Sequence, residues 1–371
     1  MRVGLLTAYV NNYGACLQAY ALQNTISMMG YECEIVRYTP VPNVKLMTLG
    51  QRGIQLLKNI KRFMKNPSYI YTIERDYKFQ TFRNQYLKFG SQNYPEIADL
   101  YNNPPDYDAF VTGSDQLWNP IIHGMSNNRA YFLDFVPQGK KRIAYAPSIG
   151  ISEIPEGCKA EMAGLLYKMD KISVREKVGK EIVESLTGKG CSVVLDPTLL
   201  IDKEKWSKMS IKPNLDKPYI FCYVFGLGSY IGEFIKYAME KTGYEVAVLP
   251  FTKREERSNY RKMHCVGPNE FLGLIQNASL IITDSFHATA FSISFNRPFY
   301  SLLRNSEGEL NNMNSRIYNI LELTGLTDRM IKSDTEFPAD IFKSIDYDTV
   351  NVRLQEKREK DLAFLSEALE G

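Results

Sequence analysis

One stretch of the chain, Ser279-Leu-Ile-Ile-Thr-Asp-Ser-Phe-His-Ala-Thr-Ala-Phe291, contains its clearest structural signal. The apolar run at 280–282 is typical of a strand in a parallel sheet that is covered on both faces. Three residues that favour helix N-caps follow at 283–285, and apolar residues that can form one face of a helix come after them. His287 is therefore predicted to lie where a buried strand ends and a helix begins.

The position predicted for His287 is one where α/β proteins bind ligands. In open parallel sheets, ligands bind outside the carboxyl ends of the strands, and the free N–H groups at a helix start attract anions. A histidine at this place is suited to contact a negatively charged ligand. The alternative is a capping or packing histidine, and the small number of histidines (His123, His264 and His287) does not decide between the two.

The composition indicates a globular protein with more than one domain. A chain of 371 residues is too long for one small core, and two domains of about 150–180 residues are expected. With a net charge of +3 and a pI near 8.3, the chain is too weakly basic to indicate nucleic-acid binding. The N-terminus begins directly as a strand, and no apolar run has membrane-spanning length, so we expect a cytoplasmic protein.

The six cysteines are scattered along the chain without a C-x-x-C pair. Most of them lie among apolar neighbours, which is typical of small core residues in a reducing compartment. A disulfide framework or a structural zinc site is therefore not expected, and we expect neither a bound metal nor a resident cofactor.

The first part of the chain is predicted to form βαβ units. A strand at 2–9, a tight loop at 11–14, a helix that ends before Gly30 and a strand at 34–38 follow one another. The loop at 11–14 is therefore expected at the carboxyl end of a strand. Further strands are predicted from 108, at 142–146, at 171–175 and at 193–195.

A second set of strands and helices is predicted after the polar, proline-bearing stretch at 212–218. Strands are expected at 219–225, 245–250, 280–282 and 298–303, and helices at 230–241, 269–277 and 315–323. The segment 352–369 is predicted to be an amphipathic terminal helix. Together these elements predict an α/β fold with domains at 1–212 and 213–345, followed by a C-terminal helical segment at 346–371.

Residues 50–65 are predicted to form a basic amphipathic helix. Apolar residues line one side, five lysine or arginine residues occupy much of the rest, and no acidic residue interrupts them. Such a helix can lie on an anionic membrane surface, which would place the protein at the inner face of the membrane. The alternative is a helix that packs on its own domain and keeps its charges in solvent.

Five short segments occur in a defined order along the chain. They are Asn12-Tyr-Gly-Ala-Cys-Leu-Gln-Ala-Tyr20, Gly113-Ser-Asp-Gln-Leu-Trp-Asn119, Ser173-Val-Arg-Glu176, Val194-Leu-Asp-Pro-Thr198 and Thr283-Asp-Ser-Phe-His-Ala288. This ordered set resembles the polysaccharide pyruvyltransferase family. The resemblance implies two Rossmann-like domains that face each other across a cleft, as in glycosyltransferases of the B type.

The resemblance also implies an activity and two site residues. Members of this family transfer the enolpyruvyl carbons of phosphoenolpyruvate onto two hydroxyls of a sugar, which gives a cyclic pyruvate ketal and free phosphate. An arginine after a middle strand and a histidine in a late D-x-x-H segment contact the donor in family members. These positions correspond to Arg175 and His287.

One position departs from the family pattern. Some members carry a second arginine two residues before the histidine, where this chain has Ser285. A trianionic donor favours more than one cation. We therefore hypothesise that Arg304 or Lys253 supplies the missing charge, and that Ser285 donates its hydroxyl and its backbone N–H to the donor.

Elementary chemistry suggests a role for each candidate. Ketal formation requires a proton on C3 of the enol, and histidine is the side chain best suited to donate one near neutral pH. The planar guanidinium group of Arg175 would bind the carboxylate or the phosphate of the donor through two N–H groups. The alternative for Arg175 is a surface salt bridge. Asp115, at a strand end, is the candidate base, with capping of the next turn as the alternative. Phe286 and the glycine turn at Gly228, whose N–H groups can contact phosphate, complete the donor side.

The acceptor side is expected to include Asn12, Tyr13 and Gln116. Trp118 would either stack on a sugar ring or fill a gap in the core, and Asp196 is interpreted as structural. By resemblance, the acceptor is a hexose such as galactose on a lipid-linked or polymeric glycan of a capsule or exopolysaccharide. Two other functions remain open: a glycosyltransferase that uses a nucleotide sugar, and a non-catalytic member of a polysaccharide-assembly complex.

Overall fold

In a computed structural model, the protein contains two parallel β-sheets that are connected by helices. The structure describes residues 1–38, 69–226, 228–250, 258–303 and 314–371. The predicted basic helix at 50–65 and two candidate residues, Lys253 and Arg304, lie outside these ranges.

Over the described residues, the first sheet has seven strands in the spatial order β3-β2-β1-β4-β5-β6-β7. The strands are β1 (Arg2–Leu6), β2 (Glu32–Tyr38), β3 (Phe89–Tyr94), β4 (Ala109–Thr112), β5 (Lys141–Ala144), β6 (Lys171–Val174) and β7 (Ser192–Val193). The helices among them are α1 (Tyr13–Met28), α2 (Tyr69–Tyr86), α3 (Ile97–Asn102), α4 (Pro120–His123), α5 (Met125–Tyr131), α6 (Glu156–Tyr167) and α7 (Lys177–Thr187).

The second sheet has, in the same described ranges, six strands in the order β10-β9-β8-β11-β12-β13. The strands are β8 (Tyr219–Tyr223), β9 (Glu245–Val248), β10 (Arg261–Lys262), β11 (Leu280–Thr283), β12 (Phe299–Leu302) and β13 (Met330–Ile331). The remaining helices are α8 (Lys203–Met209), α9 (Ser229–Thr242), α10 (Pro268–Asn277), α11 (Phe286–Ser294), α12 (Ser315–Thr324) and α13 (Tyr347–Glu370), with 3₁₀ turns at Pro197–Leu199 and Thr327–Arg329.

Each sheet has a switch point beside its central strand, which is where open α/β sheets bind ligands. In the first sheet, β1 lies between β2 and β4 and is parallel to both. In the second sheet, β8 lies in the same way between β9 and β11. A ligand site is therefore expected among the loops that directly follow β1, β4, β8 and β11.

Strand β11 is buried on both faces, as its apolar run predicts. Ile281 belongs to the large core cluster that contains residues of both sheets. Leu280 and Ile282, which point to the other face, pack in a separate cluster with Ile220 and Cys222 of β8. Alternate residues of the strand thus face different cores, which is why the run is uninterrupted by polar residues.

The two sheets are joined by direct packing of α1 against α10. The ring of Tyr13 stacks on that of Phe271, with ring centroids 4.5 Å apart. The Tyr13 hydroxyl also donates to the carbonyl oxygen of Val266 at 3.0 Å. These contacts hold the carboxyl-end loops of the first sheet against those of the second.

The terminal helix α13 returns to the first sheet. The Lys141 ammonium donates to the carbonyl oxygen of Leu369 at 2.7 Å, and the Leu195 N–H donates to the Asp361 carboxylate at 2.7 Å. The helix spans Tyr347–Glu370 and is therefore longer than the predicted 352–369.

The structure confirms the predicted α/β class and corrects some element boundaries. The first strand ends at Leu6, short of the predicted residue 9, because Leu6 pairs with Thr112 and β4 ends there. The domain boundaries at 212–213 and 345–346 stay predictions. Among the described helices, none combines the length and apolar character needed to span a membrane.

Candidate active site

A cavity of about 230 Å³, the first cavity, lies where the loops of the two switch points face each other. Six candidates from the sequence line it, namely Asn12, Asp115, Gln116, Ser285, Phe286 and His287. The other lining residues are Gly14, Tyr223, Phe225, Phe271, Asp284, Asn314, Arg316 and Ile317. Both sheets therefore contribute to one site.

His287 lies at the start of α11, as the strand–helix pattern predicts. Ser285 is the N-cap of this helix, and its Oγ accepts a hydrogen bond from the Ala288 N–H at 3.5 Å. The His287 side chain is 11% exposed, and its Nε2 has no hydrogen-bond partner in the part of the chain that the structure describes. The imidazole is thus held at the edge of the first cavity with one ring nitrogen unused.

The place of the imidazole depends on Gly14, the second residue of α1. A Cβ built on Gly14 would lie 2.5 Å from Cε1 and 2.6 Å from Cγ of His287. Carbon atoms in contact are normally about 3.5–4.0 Å apart, so only glycine leaves room for the ring in this position.

Arg175 follows β6 and is buried, with 1% of its side chain exposed. Its Nη1 donates to Asp196 Oδ2 at 2.6 Å, and the Phe286 ring covers the guanidinium with its centroid 4.5 Å from Cζ. Arg175 therefore forms a buried ion pair and not the surface salt bridge that was considered as the alternative.

Asp196 joins Arg175 and His287. Its Oδ2, which accepts from Arg175, also accepts from Ser114 Oγ at 2.9 Å and lies 3.7 Å from His287 Nε2. Its Oδ1 accepts from the N–H and hydroxyl of Thr198. Burial alone would raise the pKa of the Asp196 carboxyl, but the interactions with His287 and Arg175 lower it below its ordinary value. This role was not predicted from the sequence, although Asp196 directly follows the strand that was predicted at 193–195.

Asp115 lies at the edge of the first cavity with 23% of its side chain exposed. Its backbone has a φ of 72°, and its Oδ1 accepts from the Gln116 N–H at 2.9 Å. The distance from Oδ1 to Arg175 Nη2 is 3.8 Å, which is too long for a hydrogen bond. The carboxylate is therefore fixed by its own turn and accessible to a ligand.

Buried nitrogen atoms without partners indicate that a ligand completes this site. They are Nε and Nη2 of Arg175 and Nε2 of His287. Buried polar groups are almost always hydrogen-bonded in folded proteins, so each exception calls for an explanation. Over the described ranges, no group of three or more His, Cys, Asp or Glu side chains could hold a metal ion. Guanidinium N–H groups instead suit carboxylate or phosphate oxygens.

A larger cavity of about 480 Å³, the second cavity, adjoins the first. Phe286 and Arg316 line both cavities. Arg175 and Asp196 line the second cavity, whose other lining residues are Lys177, Lys180, Val193, Val194, Leu195, Leu199, Asn319, Ile320, Glu322, Leu323 and Lys357.

Arg316 is a site residue that was not predicted from the sequence. It is the second residue of α12 and is 7% exposed. Cations were expected directly after strands, but Arg316 belongs to a helix that only the tertiary fold places beside α11. The one available signal is a basic residue immediately after the start of a predicted helix.

Three candidates do not line either cavity. Trp118 is fully buried and stacks on Phe132 with centroids 4.8 Å apart, so it fills the core and is not available to a sugar. Tyr13 is 3% exposed and packs against Phe271 between the sheets, so its hydroxyl is not an acceptor ligand here. Gly228 is the exposed residue before α9.

The backbone N–H groups proposed for the donor have protein partners. Gly226, in the predicted glycine turn, donates its N–H to Asp284 Oδ2 at 2.6 Å. Ser285 donates its N–H to Thr283 Oγ1 at 3.0 Å, so this group does not serve the donor as hypothesised. The hypothesis for Arg304 and Lys253 stays a prediction.

Solved structures share this architecture. A UDP-GlcNAc 2-epimerase from Methanocaldococcus jannaschii matches with a TM-score of 0.50 at 12% identity, covering 96% of this chain and 93% of that chain. A glycosyltransferase from Streptomyces sp. SF2575 matches with a TM-score of 0.42 at 10% identity, covering 100% of this chain and 99% of that chain. At such identities only the fold is comparable. The match to the epimerase supports the predicted α/β fold of the glycosyltransferase-B type, with its two parallel sheets.

The family is defined by the sequence. The family model described as polysaccharide pyruvyl transferase matches residues 12–306, which is well over half of the chain. The chain therefore belongs to the polysaccharide pyruvyl transferase family and is an enzyme of the transferase class. No curated protein matches this chain in sequence.

Proposed function

We propose that this enzyme transfers the enolpyruvyl carbons of phosphoenolpyruvate to two hydroxyls of a sugar and releases phosphate. Family membership supports a pyruvyl transferase. The observation on which the specific proposal depends is the convergence of Arg175 Nη1 and His287 Nε2 on a single oxygen, Asp196 Oδ2, at 2.6 and 3.7 Å. Guanidinium and imidazole groups with unused nitrogens, so close together, suit a small polyanion.

The chemistry assigns one task to each group. His287 in its protonated form donates a proton to C3, which becomes a methyl group, and C2 becomes electron-deficient. One sugar hydroxyl adds to C2, the C2–O bond to phosphate breaks with its electron pair, and the second hydroxyl adds. The two hydroxyl protons leave, one to replace the proton given to C3 and the other to phosphate or solvent. Asp115 accepts a hydroxyl proton from the side of the first cavity.

The acceptor is proposed to be a hexose, such as galactose, in a lipid-linked or polymeric glycan. The hydroxyl and amide groups that line the first cavity, including those of Asn12 and Gln116, are suited to sugar hydroxyls. A role in capsule or exopolysaccharide synthesis at the inner membrane face agrees with the basic composition of residues 50–65.

The test measures phosphate release from phosphoenolpyruvate in the presence of galactose-containing acceptors, with mass spectrometry of the product ketal. His287→Gln is expected to lower the rate by about 100- to 10,000-fold, as for loss of a general acid. His264→Gln is the matched control, because His264 stacks on Tyr71 with centroids 4.1 Å apart and lines neither cavity. An unchanged rate in His287→Gln would contradict the proposal.

The glycosyltransferase alternative is supported by the fold alone. It predicts binding of a nucleotide sugar and no consumption of phosphoenolpyruvate. Calorimetric titration with UDP-galactose and with phosphoenolpyruvate separates the two functions, because each predicts binding of only one of these compounds.

A further inference from the structure

The two cavities differ in charge. Of the described residues that line the second cavity, five are cationic and two are anionic. The described lining of the first cavity has two carboxylates, Asp115 and Asp284, and one cation, Arg316, with His287 beside them. Four of the five cations of the second cavity form ion pairs with carboxylates, so this cavity offers an anion guanidinium and ammonium N–H groups rather than a large net charge, whereas the first suits an uncharged polyol.

Two residues of the second cavity carry buried hydrogen-bond donors that are unused. Nε and Nη2 of Arg175 and Nδ2 of Asn319 have no hydrogen-bond partner among the described residues. Both residues line the second cavity, one from the end of β6 and the other from α12. All three nitrogen atoms are hydrogen-bond donors, so the partner that they lack is an acceptor such as a phosphate oxygen.

The cations of the second cavity differ in depth. Lys177, at its rim, forms an ion pair with Glu322 at 2.5 Å. Arg175 and Arg316, by contrast, are buried, with 3% and 7% exposed. Leucine, isoleucine and valine side chains surround them, and the exclusion of water strengthens their attraction for an anion.

An anion in the second cavity would lie next to the reacting groups. Phe286 and Arg316 line both cavities and therefore form part of the boundary between them. Asp196 Oδ2, in the second cavity, lies 3.7 Å from His287 Nε2, which faces the first.

We propose that the second cavity is an anion compartment that takes the phosphate of the donor, while the sugar occupies the first cavity. Arg316 and Asn319 are then donor-binding residues in addition to Arg175, and the carbon end of the donor lies at the boundary beside His287. This inference rests on the proposed function. It also explains how a chain with Ser285 binds a trianion, since Arg316 supplies a buried cation from a different helix.

The test is calorimetric titration of the full chain with phosphoenolpyruvate and, separately, with inorganic phosphate. Asn319→Ala and Arg316→Gln are each expected to lower the affinity for phosphoenolpyruvate and for inorganic phosphate by about 10- to 100-fold, as for the loss of one hydrogen bond to a charged group. Gln116→Ala, in the first cavity, is the matched amide control and should leave the phosphate affinity unchanged. Arg316 is buried, so its replacement can destabilise the protein, and thermal unfolding of Arg316→Gln is measured to show that this variant is folded. Asn319→Ala tests the same cavity independently.

The outcomes separate this inference from the proposed function. If the wild type binds phosphoenolpyruvate but neither second-cavity variant weakens it, the anion compartment is refuted and the function stands. The compartment is refuted in the same way if Gln116→Ala weakens phosphate binding as much as Asn319→Ala does. If the wild type binds inorganic phosphate through Asn319 but does not turn over phosphoenolpyruvate, the compartment stands and the function fails. If it binds neither compound, both are refuted.

Discussion

The contact between Gly14 and His287 provides a strong test of the site. Gly14→Ala adds one methyl group whose carbon would lie 2.5 Å from Cε1 of the imidazole. Because carbon atoms require about 3.5–4.0 Å, the ring must move by about 1 Å or more. Gly14 is the second residue of α1, where its backbone is helical and accepts alanine without strain.

The expected loss of activity is set by the displacement of the ring. A 1 Å error in the position of a catalytic group costs about 100-fold in rate, which corresponds to about 2.7 kcal/mol of activation free energy. Stability should also fall, by about 1–3 kcal/mol, because an added methyl group in a packed region forces buried neighbours to move. The loss of activity is therefore measured under conditions in which the variant remains folded.

The assay compares kcat/KM for acceptor-dependent phosphate release with the urea unfolding midpoint. Gly157→Ala is the matched control, since Gly157 is the second residue of α6 and a Cβ there would contact nothing within 4 Å. If Gly14→Ala retains the kcat/KM of the control, the imidazole either tolerates the displacement or takes no part in the reaction. In both cases the inferred link between this contact and catalysis is refuted.

Three further predictions concern buried polar contacts. Asp196→Asn leaves Arg175 buried without its counter-charge and should cost about 3–5 kcal/mol of unfolding free energy in urea; a loss under about 1 kcal/mol would contradict the buried pair. Burial raises the pKa of Asp134, but hydrogen bonds led by that from Lys168 lower it to about 2. The stabilisation by ionised Asp134 is present above the unfolded pKa of about 3.9 and is lost as the pH falls toward 2. In Asp134→Asn, the urea unfolding midpoint should therefore depend less on pH between these two values. Tyr13→Phe should lower the free energy of unfolding, measured in urea, by about 1 kcal/mol and leave the KM for the acceptor unchanged. A raised KM would show that the Tyr13 hydroxyl contacts the acceptor.

The features that were predicted correctly from the sequence depend on local pattern and on the geometry of parallel sheets. The run at 280–282 specifies a doubly covered strand, because its alternate residues pack in different cores. Parallel strands all end at the same edge of a sheet, so Asp115 and Arg175, which were each predicted to follow a strand, lie on the same edge of the first sheet. Their closest charged atoms are in fact 3.8 Å apart.

The two aromatic candidates are enclosed by other segments of the chain, which a pattern at one position does not reveal. The hydroxyl of Tyr13 binds the carbonyl of Val266, which is 253 residues away in the chain. Trp118 donates its indole N–H to the Tyr131 carbonyl within a packed cluster. A pattern at one position does not distinguish an aromatic ring that binds a sugar from one that joins two parts of the core.

The pairing of Arg175 with Asp196 determines the charge that a donor would encounter. A buried ion pair has no net charge, so Arg175 alone attracts a distant trianion only weakly. At an effective dielectric constant of about 20, two unit charges 4 Å apart interact by about 4 kcal/mol, and Asp196 would therefore repel a bound phosphate nearly as strongly as Arg175 attracts it. Further N–H donors are therefore needed to bind such a donor, and α12 places Arg316 at the boundary of both cavities and Asn319 in the second. The serine at position 285 is then compatible with the proposed donor binding, because donors absent from α11 are provided by the neighbouring helix.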